Sequence, residues 1–220
     1  RSRPQPCSDG LGSRPRIPEW AIIDSERILT TRDAYPPKEI PEQLVVVGSG
    51  VTGVEFVHMF SSLGSAVTLI VSRQQVLPNK DPEAAALLEQ TFIDRGVQLL
   101  KGARAIGVKR IGKKVEVYCS DGRVATGSHA LIAIGSQPNT ESLGLDNANV
   151  LLNSNGHVEV DHNLKSSVPS IYVAGDLSGK LPLSSVAAMQ GRKIAEHIMG
   201  LHDGRPHRHL AYDKACLLYT

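Results

Sequence analysis

The sequence predicts an α/β fold built on a parallel sheet, and three observations carry the prediction. Leu44-Val45-Val46-Val47, residues 67–71 and residues 97–100 are continuous apolar runs rich in branched side chains, the pattern of strands buried on both faces. Between them the apolar residues recur at a helical period. A glycine-rich turn closes the first run and opens the first helix.

Taken in order, residues 1–18 hold Arg, Pro, Ser and Gly without periodicity and read as irregular chain, tightening at Gly12-Ser13-Arg14-Pro15. After the strand at 44–47, residues 51–63 place Val51, Val54, Val57, Met59, Phe60 and Leu63 on one helical face. The strand at 67–71 follows. Asp81-Pro82 then supplies an N-cap and a proline at the first helical position, and the helix runs to Arg95 with Gly96 as its stop. The strand at 97–100 completes a β-α-β-α-β unit, the half-Rossmann order. Short runs near 103–108, 115–119 and 123–126, with a turn at Asp121-Gly122, predict an antiparallel meander. Ala130-Leu131-Ile132-Ala133-Ile134 predicts another buried strand, ending at Gly135. Residues 136–156 read as loop, Ile171-Tyr172-Val173-Ala174 as a last buried strand, and residues 184–199 as a closing helix.

Composition narrows the function. A chain of 220 residues corresponds to between one and two domains, and 41% hydrophobic content is that of a globular protein. Twenty-four Lys and Arg against 22 Asp and Glu give a net charge of +2, without the basic stripe of a nucleic-acid binder, and 4% aromatics offer no stacking platform. No apolar run approaches the roughly 18 residues that span a bilayer, and no signal peptide is expected from the residues given. Cys7, Cys119 and Cys216 stand far apart, which disfavours a disulfide framework and fits a reducing, cytoplasmic setting. His202, His207 and His209 flank a loop-like Asp203-Gly204-Arg205-Pro206, and no metal site is expected there. The chain opens on Arg1, so further sequence upstream is expected.

Three constellations carry chemistry. In Gly48-Ser49-Gly50-Val51-Thr52-Gly53, Gly48 permits the tight turn, Gly50 lets a diphosphate approach the backbone, and Gly53 lets the helix pack close to the strand. The N–H groups of Val51, Thr52 and Gly53 open a helix whose partial positive charge suits phosphates. At the end of the next strand, Val71-Ser72-Arg73-Gln74 has no carboxylate for a ribose diol. Ser72 and Arg73 suit a 2′-phosphate instead, which points to NADPH, alone or alongside NADH; the alternative is a solvated arginine. Finally, Gly175-Asp176 follows an apolar run, where the carboxylate either accepts a ligand hydroxyl or stabilises its own turn.

These residues resemble the FAD-dependent pyridine nucleotide–disulfide oxidoreductases, the group of dihydrolipoamide dehydrogenase, glutathione reductase and mercuric reductase, and above all its NAD(P)H-quinone reductase branch. Gly12-Ser13-Arg14-Pro15 resembles the family's first crossover out of the FAD domain. Gly48 to Gly53 with Glu55 resembles its GxGxxGxE fingerprint, and Ala133 to Thr140 its second crossover, ATGxxPNT. Ile171 to Asp176 resembles its FAD-binding strand, and Gln190-Gly191-Arg192 the helix that follows. The resemblance covers residues 10–200 and implies FAD and NAD(P)H as cofactors.

The resemblance also implies roles. Gly48, Gly50, Val51, Thr52, Gly53, Ser72 and Arg73 would hold NAD(P)H. Gly135, Gly175, Asp176, Leu183 and Ser184 would hold FAD, with Asp176 on the ribityl chain and Ser184 or Ser185 capping a helix aimed at the flavin. Glu55 would orient the hydride donor. The implied organisation is an irregular segment 1–18 ending a first FAD-domain stretch, an NAD(P)-binding domain at 19–132 inserted in the FAD-binding domain, a second FAD segment at 133–200 and an irregular tail at 201–220. The family's own first GxGxxG, its CxxxxC and its dimerisation domain have no counterpart here; Cys7 reads as an inert thiol and Asp213 to Thr220 does not fit. The implied function is hydride transfer from NAD(P)H to FAD and on to a disulfide, quinone or similar small-molecule acceptor, by a full-length homodimer. A stand-alone NAD(P)-binding module without turnover is the alternative.

Overall fold

The computed structural model describes residues 11–201. Cys7, Cys216, His202, His207, His209 and the tail 213–220 lie outside the described residues. The elements in chain order are β1 (Ser13–Pro15), β2 (Ile28–Thr30), α1 (Thr31–Ala34), β3 (Gln43–Val47), α2 (Val51–Ser62), β4 (Ala66–Val71), α3 (Pro82–Asp94), β5 (Gln98–Lys101), β6 (Ala105–Ile111), β7 (Lys114–Cys119), β8 (Val124–Gly127), β9 (His129–Ile132), β10 (Ser136–Pro138) and α4 (Ser184–Ile198). The chain divides into two compact units, one of residues 15–136 and the other of residues up to 14 together with those from 137 onward. β1 and β10, which form a two-stranded sheet, mark the points where the chain passes from one to the other. No described helix is long and apolar enough to cross a membrane.

In the 15–136 unit, β2, β9, β3, β4 and β5 form one sheet in that order, every pair parallel. Alternate residues of each strand point to opposite faces. Leu44, Val46, Leu69 and Val71 pack on one face with Val57 and Phe60 of α2 and Phe92 of α3. Val45, Val47 and Ile70 pack on the other with Val108, Val115 and Val117 of the antiparallel meander β6-β7-β8. Because both faces are covered, the strands read as unbroken apolar runs. α3 begins as the sequence predicts: Asp81 accepts hydrogen bonds from the N–H groups of Glu83 and Ala84, and Pro82 follows it.

The edge strand β2 escapes the sequence reading. It is three residues long and owes its place to β9, to which Ile28 pairs at Ala130 and Thr30 at Ile132. The turn before it is built by Asp24, whose carboxylate accepts from the N–H groups of Glu26, Arg27 and Ile28 at 2.8–2.9 Å.

In the second unit the described core is small: Val150, Val158, Val173 and Leu177 cluster together, and Leu164 and Val186 are also buried. The strand expected at 171–174 does not form. A strand needs a ladder, and this segment has only an isolated bridge from Tyr172 to Lys165, with the Val173 N–H donating to the Leu164 carbonyl. Val173 packs into the core, so the segment is apolar because it is covered rather than because it is sheet. Gly175–Ser178 then form a short 3-10 turn, and α4 follows.

A candidate dinucleotide site at the strand ends

The glycine turn lies at the C-terminal edge of β3, where the sheet order reverses between β3 and β9. Ligands of parallel sheets bind at such a switch point. Gly48 has φ of +112°, and a Cβ there would come 2.3 Å from the Ala133 carbonyl oxygen, so the turn passes against the end of β9 with room for no side chain. Gly53 is tighter still: a Cβ would meet the Gly48 carbonyl oxygen at 1.9 Å. Gly50 is the opposite case, with nothing within 4 Å of where a Cβ would be. It is the N-cap of α2 and offers no side chain of its own. The first N–H groups of the helix, at Val51, Thr52 and Gly53, therefore face outward without intrahelical acceptors. Gly48 and Gly53 shape the turn, while Gly50 leaves the space above it open, which is the cradle a diphosphate needs.

A cleft of about 400 Å³ opens beside this turn. Its walls include Gly48, Ser72 at the end of β4, Ile134 and Ile106, together with Trp20 and Arg104. The sequence points to Ser72 and Arg73 at this edge, and Ser72 lies in the cleft wall. Arg73 is exposed and is not part of the cleft wall, whereas Arg104 is. Trp20 and Arg104 were not foreseen. Arg104 sits alone between Ala103 and Ala105 beyond β5, and no local pattern brings it to the end of β4. Glu55 is exposed on α2, with its carboxylate unpartnered among the described residues.

The loop after β4 is fixed by backbone and side-chain ties. The Leu77 N–H donates to the Ser49 carbonyl at 2.7 Å, which links the loop to the glycine turn. Buried Glu89 of α3 accepts from the Val76 N–H at 2.9 Å and from Lys101 Nζ at 2.7 Å, joining the loop to the end of β5. Cys119, buried behind the meander, is no nucleophile: burial, reinforced by Asp121, pushes its thiol up.

The second group of expected residues lies in the other unit. Asp176 is in the 3-10 turn, and its carboxylate accepts from the Ser13 hydroxyl of the first crossover. Gly175 has φ of +72°, and its N–H donates to buried Gln190 Oε1 at 2.7 Å, so α4 holds the turn that carries Asp176. Neither Ser184 nor Ser185 caps α4. Leu183 occupies the N-cap, extended at φ −128° and ψ 138°, with no side-chain cap, because the helix starts one residue earlier than a serine cap requires. Gly135 has φ of +110° and lies exposed beyond β9, its carbonyl accepting from the Arg16 N–H at 2.9 Å.

The sequence profile of the pyridine nucleotide-disulphide oxidoreductases matches residues 10–191. The chain belongs to that family. Among curated members it is similar to an NAD(P)H dehydrogenase (quinone) of Mycobacterium tuberculosis, 49% identical over 189 residues that make up 86% of this chain and 38% of the relative. It is also similar to a dihydrolipoyl dehydrogenase of Chlamydia muridarum, 34% identical over 81% of this chain and 38% of the relative. Among solved structures, LpdA from Mycobacterium tuberculosis superposes with a TM-score of 0.83 at 47% identity, covering 90% of this chain and 43% of that one. The HOCl-induced flavoprotein disulfide reductase RclA from Escherichia coli reaches 0.80 at 27% identity, covering 90% and 45%. Members of the family are oxidoreductases that use FAD and NAD(P)H. The chain spans about two-fifths of the length of the curated relatives it matches.

Proposed function

We propose that residues 15–136 bind NAD(P)H and that the chain is the central part of a flavoprotein oxidoreductase. The full protein would pass hydride from NAD(P)H to FAD and on to a disulfide, quinone or similar small-molecule acceptor. It would act as a homodimer, and the scattered cysteines support a reducing, cytoplasmic setting. One observation carries the reading: the only glycine of the fingerprint with open space above it, Gly50, is the one where a diphosphate has to approach the backbone.

The residues present fit the two cofactors unequally. For the dinucleotide they supply an open glycine turn, a helix N-terminus and an adjoining cleft. The turn and the N–H groups of α2 hold the diphosphate, and exposed Glu55 in the second turn of that helix orients the nicotinamide end. For FAD the described residues supply Asp176, which accepts a ribityl hydroxyl, and the uncapped start of α4 after Leu183, where the N–H groups from Ser184 onward favour negative charge on the flavin ring. Bound FAD supplies the hydride-accepting chemistry, and the protein supplies position and electrostatics.

The small described core at 137–201 favours a second reading for the isolated chain, an NAD(P)-binding module that holds FAD weakly. Trp20, the single tryptophan, lines the cleft and serves as the reporter. NADPH titrated into the purified chain should quench its fluorescence saturably, and absence of any change would end the nucleotide reading. Yellow full-length protein that reduces a quinone or dichlorophenol dye supports the enzyme. Colourless full-length protein that binds NADPH alone supports the module.

A further inference from the structure

We propose that Arg104 is the residue that selects the coenzyme, by pairing with the 2′-phosphate of NADPH at the adenosine end of the cleft. The proposal rests on the dinucleotide reading of that cleft and moves the selecting cation from Arg73, just after β4, to Arg104, between β5 and β6. Arg104 is the single charged side chain in the described cleft wall, and no carboxylate stands there to take a ribose diol in its place. Its guanidinium makes no hydrogen bond or ion pair among the described residues, so it is available to a ligand. Ser72, with a hydroxyl that donates to phosphate oxygen, lies on the same wall.

The backbone around Arg104 is set in advance. The Gly102 N–H donates to the Arg73 carbonyl at 3.0 Å and the Ala103 N–H to the Val71 carbonyl at 3.1 Å, which continue the β4–β5 pairing past the end of the strands. The Arg104 carbonyl accepts from the Ser120 N–H at 2.9 Å. Ala103 and Ala105 are buried on either side, while Arg104 is exposed and lines the cleft. Arg73, by contrast, uses its carbonyl in this zipper and leaves its side chain in solvent. A planar guanidinium on a fixed backbone suits bidentate recognition of a phosphate.

Two probes without nicotinamide test this: 2′-phospho-ADP-ribose and ADP-ribose, titrated into the purified 220-residue chain and its variants. Wild type should bind the phosphorylated probe more tightly. Arg104→Ala should weaken that probe roughly 10- to 100-fold, the range for a charge-assisted hydrogen-bonded pair, and leave ADP-ribose unchanged. Arg104→Lys should restore part of the loss, and Arg73→Ala should change neither probe. Equal weakening of both probes in Arg104→Ala, the loss appearing in Arg73→Ala instead, or a wild type without preference for the phosphorylated probe would each overturn the proposal while the dinucleotide reading stands. A wild type that binds neither probe would remove both.

Discussion

Residues 15–136 bury one parallel sheet on both faces, with Val46 and Leu69 on one side and Val45 and Ile70 on the other, whereas residues 137–201 cover a small core with loops and one helix. In the first region the candidate site residues stand on a frame that the sheet holds up, and most of them take no part in stabilising it. In the second, side chains tie down the turn that carries Asp176: the Gly175 N–H donates to Gln190 Oε1, the Ser178 hydroxyl donates to the Gly175 carbonyl, and Asp176 itself accepts from the Ser13 hydroxyl. The difference teaches that the proposed ligand contact and the fold can be separated at Gly50, where a Cβ would touch nothing, but not at Asp176, which is tied into its own surroundings.

The largest expected effect comes from the more tightly enclosed of the two glycines that shape the turn. Gly53→Ala would force a methyl onto the Gly48 carbonyl at 1.9 Å and should cost about 3 kcal/mol in urea unfolding of the sheet region. An unchanged midpoint would break the contrast drawn above. Acid should act next, on the same region. Burial pushes the Asp24 carboxyl up, but the N–H groups of Ile28, Arg27 and Glu26 and the Arg110 guanidinium outweigh it and bring the pKa from 3.8 to about 2. Its charged form is favoured in the fold, so roughly 2 kcal/mol of stability is present above pH 3.8 and lost as pH falls toward 2.

His129 works in the other direction of charge. Burial, and then Arg27, hold it below its usual 6.5 against the opposing pull of Glu39 and Asp24. Its Nε2 lies 3.0 Å from a Glu39 oxygen yet is without a hydrogen bond. The unfolded chain takes up the proton first, so stability should begin to fall as pH drops through 6.5, and His129→Gln should abolish that early decline in a pH series of urea midpoints.

In the second region, Gln190→Ala should cost about 1 to 2 kcal/mol, because it leaves a buried N–H unpaired. Hydrogen exchange should show the Gly175 amide losing protection while the amides of β3 and β4 keep theirs. If β3 exchanges equally fast, the two regions are not independent. Gly50→Ala should be the mildest for stability, within about 0.5 kcal/mol, and should still weaken NADPH roughly 10-fold in the Trp20 titration. Together, Gly50→Ala and Gly53→Ala place binding and folding on glycines three residues apart.

The sheet was legible where burial is two-sided. Leu44 to Val47 and residues 67–71 announce themselves because no polar face dilutes the pattern. Ile28-Leu29-Thr30 did not, since its only neighbour, β9, lies about a hundred positions away and nothing local signals the pairing. The same limit explains the opposite error at 171–174: an apolar run says that a segment is covered, not that it has a ladder. The glycine turn was readable because φ, close approach and helix start all demand glycine at fixed spacing. Arg104 was not, because its place in the cleft comes from a zipper between two strands, while Arg73 is simply the first cation after β4. The cap of α4 was misplaced by one residue because Ser184-Ser185 looks like a cap in composition, and only the backbone at Leu183 shows where the helix begins.

The Arg16 N–H and the Gly135 carbonyl meet at 2.9 Å, so the 15–136 segment enters and leaves through a single doorway. A segment with neighbouring ends behaves as a cassette: it can be cut out and closed with a short linker, or grafted into another host's surface turn, with little strain on either piece. That geometry makes residues 15–136 the natural unit to express alone.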